Sequence, residues 1–110
     1  MDSNQIVVDK LEKLFSELVV ILELNNDGDI DHPISEVKYI IHLLNQLKDN
    51  NYTASDAVMN EIKSIHKRIY PPRGGLSDFF IWKSDFDERV KANEPFEKIS
   101  KELWEILQVE

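Results

Sequence analysis

From Val7 onward, apolar residues recur at steps of three and four: Val7, Leu11, Leu14, Leu18 and Ile21, with Val8, Phe15 and Leu22 widening the stripe. Glu12, Lys13, Ser16, Glu17 and Glu23 stand off it. This is the period of an amphipathic helix, not the alternation of a strand. It predicts a helix over about 4–24, with Asp2 or Ser3 as N-cap. Asn25-Asn26-Asp27-Gly28-Asp29 consists of turn formers and ends it. Pro33 suits a first helical position, and Val37, Ile40, Ile41, Leu44 and Leu47 predict a second helix over about 33–48. A third starts with Thr53 or Ser55 as cap and turns Val58, Ile62, Ile65 and Ile69 inward. Lys63, Lys67 and Arg68 complement the dipole near its C-terminus. Ser84-Asp85-Phe86-Asp87 resembles a capping box with Ser84 as acceptor, predicting a fourth helix to about Asn93. Pro95 then restarts the chain as a fifth, with Phe96, Ile99, Leu103, Ile106 and Leu107 in its stripe and Trp104 on its flank.

The expected architecture is all-α: one domain over 1–110, a bundle of four to five helices with short connections. One stretch departs from helix period. Tyr70–Trp82, YPPRGGLSDFFIW, holds two prolines and two of the three glycines of the chain, followed by four large apolar residues. Proline fixes φ and removes a donor, and glycine admits positive φ. An irregular segment is therefore expected at about 71–83, with residues 78–83 either extended or one helical turn. It has two readings. As a clasp, Phe79, Ile81 and Trp82 insert between helices, with Arg73 and Asp78 as tethers. As a platform, part of the Phe-Phe-Ile-Trp run is exposed beside Tyr70 and Arg73, in the aromatic and arginine composition of binding hot spots.

Composition narrows the function. The chain has 110 residues, 42% of them apolar and 31% charged, which is the profile of a globular domain. No apolar run reaches the roughly 20 residues that span a bilayer, and MDSNQIVVDK lacks the features of a signal peptide. Cysteine is absent, which removes thiolate chemistry and suits a reducing cytoplasm. The net charge of −8 is uneven. Residues 1–36 carry nine acids and two lysines (−7), residues 37–83 four acids and seven bases (+3), and residues 84–110 eight acids and four bases (−4). Such a chain repels phosphates, so nucleic acid and membrane are not expected partners, whereas a basic protein is.

Candidate chemistry is sparse. The Glu23–Ile34 stretch partly matches a calcium loop, with Gly28 at the turn and Asn25, Asp27 and Asp31 at ligand positions. Its twelfth position is Ile34 instead of a bidentate glutamate, so no metal is expected. His32, His42 and His66 share no ligand spacing, and His42 and His66 fall beside apolar stripes where a rim position is expected. No serine sits in a nucleophile elbow, and Arg73-Gly74-Gly75 lacks the strand and helix of a phosphate loop. No catalytic residue, cofactor or enzymatic activity is expected.

The YPPRGGLSDFFIW segment and the ending NEPFEKISKELWEIL resemble the small helical immunity proteins of bacterial toxin–immunity systems, including contact-dependent growth inhibition. The resemblance implies a bacterial, cytoplasmic inhibitor that neutralises a cognate toxin domain, often a basic nuclease. Combined with the charge map, the expected partner-binding residues are Glu23, Asp27, Asp29, Asp31, Tyr70, Arg73, Glu102 and Glu105, covering a basic cleft. The competing expectation is a self-associating helical module, a homodimer without a toxin partner, for which the wide stripe at Val19 and Val20 is the cue.

Overall fold

The computed structural model describes residues 3–26, 28, 30–52, 55–71 and 75–107, with the side chains of 3, 4 and 55 excepted. Among these are four α-helices: α1 (Ser3–Leu24), α2 (Asp31–Asp49), α3 (Ser55–Ile69) and α4 (Phe86–Leu107). A 3-10 turn, Gly75–Asp78, lies between α3 and α4, and no strand occurs among the described residues. Two of the expected caps, Asp2 and Thr53, lie outside the described residues.

Side-chain pairs define the helix directions. Lys48 meets Glu12 at 2.9 Å while Lys38 meets Glu23 at 3.4 Å, so α2 runs against α1. Tyr39 donates to Glu61 and Arg68 to Glu36, so α3 runs against α2. Tyr70 and Ser100 hydroxyls lie 2.8 Å apart and the His66 and Trp104 rings 4.9 Å apart, which sets α4 against α3. The result is an up-down-up-down bundle. α1 packs on α2 and on α4, and α2 packs on α3. At one end, called here the upper end, α1 and α3 finish while α2 and α4 begin.

The core takes its apolar side chains from the four stripes. Val8, Leu11, Phe15, Leu18 and Leu22 of α1 meet Val37, Ile40, Leu44 and Leu47 of α2, Ile62 and Ile65 of α3, and Ile99, Leu103 and Leu107 of α4. Each contributes about 1.5–3 kcal/mol on burial. The face of α1 is rotated from the expected one. Val7 is 37% exposed while Val8 and Phe15 are buried, because α1 must cover two neighbours and Val7 falls outside that arc.

Helix ends follow local chemistry that differs in places from the sequence reading. α2 closes with Asn51 N–H on Lys48 O and Tyr52 N–H on Leu47 O, a Schellman arrangement with φ of 54° and 63° at Asn51 and Tyr52. Asn tolerates that region, and Tyr52 is held there by its hydroxyl on Asp9. The cap of α4 is Asp85 and not Ser84: the Glu88 N–H donates to Asp85 Oδ2 at 3.0 Å. Pro95 does not start a fifth helix but lies inside α4. Its ring removes one bond onto the Lys91 carbonyl, yet Lys91 and Pro95 are both exposed. Water can take the freed carbonyl while the buried face below keeps the helix continuous.

Candidate functional site

The connection between α3 and α4 is built on one glycine and one leucine. Gly75 has a φ of +55°, and a Cβ there would lie 2.9 Å from Ile69 O and from Pro71 Cδ. Only glycine fits. The turn it permits drives Leu76, 1% exposed, against α2 and α3.

Beyond the turn residues 79–82 form neither helix nor strand, and burial alternates along them. Phe79 packs on Phe96 with the rings tilted and their centroids 4.7 Å apart, and Ile81 is buried, whereas Phe80 and Trp82 are 55% and 68% exposed. Each reading thus meets the structure in part: Phe79 and Ile81 turn inward and Phe80 and Trp82 outward, while Tyr70 is half-buried and Arg73 lies outside the described residues. Trp82, expected inside in the clasp reading, is outside because it is one residue out of phase with Ile81.

A segment outside helix and sheet must find partners for its buried peptide groups. Asn93 of α4 supplies them. Its side chain accepts from Ile81 N–H at 2.8 Å and donates to Ile81 O at 2.9 Å and to Arg89 O at 2.9 Å. The amide thus imitates a neighbouring strand. Arg89 adds a second fastening: its Nε donates to Lys83 O at 3.0 Å, and its guanidinium carbon lies 4.0 Å from the centroid of the Trp82 ring. Sequence reasoning missed Asn93 and Arg89. A polar residue three before Phe96 on the buried face of a helix was the available signal for Asn93.

α4 begins well before it reaches the core. Its first buried side chain is Asn93, and within 86–92 Phe86 and Val90, one turn apart, are 68% and 45% exposed. Phe80, Trp82, Phe86 and Val90 thus gather at the upper end, on a molecule drawn out to 48 Å along its long axis. Asp78, Asp85, Asp87 and Glu88 are exposed in the same region, against Lys83 and Lys91 and the half-buried Arg89. Arg89, between Phe86 and Val90 on α4, reaches Trp82, which brings these side chains to one end, and exposed apolar groups gathered in this way mark interaction sites.

The sequence-predicted binding residues are dispersed. Glu23 and Asp31 are at the upper end. Glu23 pairs with Lys38, and Asp31 accepts from the Asn26 amide at 2.6 Å while Gly28 N–H donates to Asn26 Oδ1. That loop spends its polar groups on its own turn. Asp27, Asp29 and Arg73 lie outside the described residues. Tyr70 is half-buried, with its hydroxyl on Ser100 and its ring 5.1 Å from His66. Burial raises its pKa and the Ser100 hydrogen bond lowers it, for a net rise. Glu102 and Glu105 sit on the lower half of α4, Glu105 exposed. Glu102 helps line an open groove of about 630 Å³ between α1 and α4, floored by Leu14 and Ile99. Lys10, Lys13 and Lys98 face Asp9, Glu17 and Glu102 there, so its charges compensate one another.

His66 departs most from expectation. It is fully buried, edge-on to Trp104 and Phe15 and tilted on Tyr70. Burial lowers its pKa from 6.5 to about 4, so it is neutral at pH 7. Among the described residues, no group of three or more His, Asp or Glu is placed to hold a metal ion, and no helix is long and apolar enough to cross a membrane. Comparison of the chain with protein-family models, curated proteins and solved structures finds no match.

Proposed function

We propose that this chain is an immunity-type inhibitor that captures a basic toxin domain and covers its active cleft with acidic surface. The observation that supports this reading is the disposition of its charge. Acids outnumber bases 21 to 13, and among the described residues no aspartate or glutamate is buried. The surplus therefore acts outward, where it raises the encounter rate with a positively charged partner and repels nucleic acid. Glu23, Asp31, Asp85, Asp87, Glu88 and Glu105 are all exposed and add to that field, Glu23 less so for its pairing with Lys38.

The test begins with the reading frame upstream of the gene. Co-expression of this chain should restore growth to cells producing the toxic domain of that frame. The association rate of the purified pair should fall steeply between low salt and about 0.5 M salt, as long-range attraction is screened. Absence of rescue, or recovery of this chain only with itself from its native host, would sink the inhibitor reading in favour of a self-associating module.

A further inference from the structure

We infer that the face formed by Phe80, Trp82, Phe86 and Val90 is a preformed docking surface for an apolar patch on a basic protein, and that Trp82 is its anchor. The inference rests on the inhibitor reading only for the partner's biological role. The surface itself follows from its geometry.

Three features carry it. The residues are held in place before any partner arrives. Asn93 fastens Ile81 through both of its peptide groups, Phe79 packs tilted on Phe96, and Arg89 spans from Lys83 O to the face of Trp82. Exposed aromatics on a flexible loop would lose rotamer freedom on binding, whereas a ring already stacked on a guanidinium loses less. Next, the inner half of the segment accounts for its structural role. Ile81 and Leu76 are buried and close the core, so nothing in the fold requires large rings at positions 80, 82 and 86. Tryptophan and arginine together are the side chains that most often dominate binding energy.

The charge around the face selects the occupant. Asp78, Asp85, Asp87 and Glu88 are exposed beside it against Lys83 and Lys91, with Arg89 half-buried on the Trp82 ring, and the start of α2 at the same end adds Asp31, so the rim keeps an acidic excess. A second copy of this chain would bring the same carboxylates and a net charge of −8 to the interface. An anionic membrane or a nucleic acid would be repelled likewise. A basic protein surface is the complement, its cations meeting the rim while its apolar centre covers the rings.

Photo-crosslinking in the native host tests this. Benzoylphenylalanine placed at Trp82 or Phe86 should give one main adduct, identified by mass spectrometry as a basic polypeptide. The same group at Asn45, exposed near the far end of α2, should not. Adducts of the chain with itself, or no adduct above the Asn45 control, overturn the inference. With the identified protein purified, Trp82→Ala should raise Kd roughly 100-fold, mainly through faster dissociation, with Tm unchanged because the ring is outside the core. A change of less than about threefold overturns the assignment of Trp82. If the adduct is a basic protein that is not a toxin, the docking surface stands and the inhibitor reading fails. If the chain rescues cells from the neighbouring toxin but Trp82→Ala binds it normally, the reverse holds.

Discussion

Asn93 ties the α3–α4 connection to α4 through its hydrogen bonds to Ile81. Asn93→Ala strips both hydrogen bonds from the Ile81 peptide groups and leaves them buried without partners, at about 1–3 kcal/mol. Asn93→Asp should be no better, since a carboxylate accepts from Ile81 N–H but faces Ile81 O as a second acceptor. Urea midpoints of the two variants measure this, and an Asn93→Asp midpoint equal to wild type would refute the strand-mimic role. His66 predicts a pH dependence. The unfolded chain binds a proton on it near pH 6.5, the folded chain only near about 4. Between these values the unfolded state holds more protons, so this contribution is intact above pH 6.5 and lost as pH falls towards 4. The loss amounts to roughly 3 kcal/mol over the full window. Denaturant midpoints of wild type and His66→Gln should therefore converge between about pH 7 and pH 4.5, the variant having the flatter profile. Neither residue was legible as such in the sequence. One histidine and one asparagine on apolar stripes have the same periodicity as rim residues, and only the approach of a second element buries them.

At the scale of elements, two positions test how the chain is punctuated. Gly75→Ala forces a Cβ to 2.9 Å from the Ile69 carbonyl at a positive φ. It should cost about 1–3 kcal/mol in thermal or chemical denaturation, and a neutral result would show that the turn relaxes without Leu76 leaving the core. Pro95→Ala should act the other way. It restores a donor onto the Lys91 carbonyl within a helix that already runs through the site, and it should stabilise by roughly 1–3 kcal/mol. Loss of stability in that variant would mean that the proline ring contributes packing against α1 that exceeds its backbone cost. The stops and starts at Asn25–Asp29, at Asp49–Asn51 and at Pro71 were readable because turn chemistry is local. Pro95 misled because whether a proline ends a helix or is absorbed depends on packing of the turns beyond it, here Phe96, Ile99 and Leu103 on the core. The same holds for Ser84 and Asp85, where both residues have capping side chains and the path of the segment before them selects the second.

For the whole molecule, the charge of −8 and the absence of any buried aspartate or glutamate among the described residues should keep the chain monomeric at neutral pH and low salt despite its exposed aromatic end. Sedimentation equilibrium should return a mass near 12.9 kDa, and a stable dimer under these conditions would contradict a surface built for an oppositely charged partner. The sequence by itself determined the helical class, the four long apolar stripes, the acidic balance and the interruption after Tyr70. These follow from periodicity, composition and backbone chemistry, all of which are local or additive along the chain. Only the tertiary structure decided that Phe79 and Ile81 face inward while Phe80 and Trp82 face outward, that Asn93 and Arg89 hold them so, and that Phe86 and Val90 extend the same face. Which side chains of a segment outside helix and sheet turn inward is set by what it packs against, and in this fold that neighbour is α4, contributed by residues a dozen positions further along the chain.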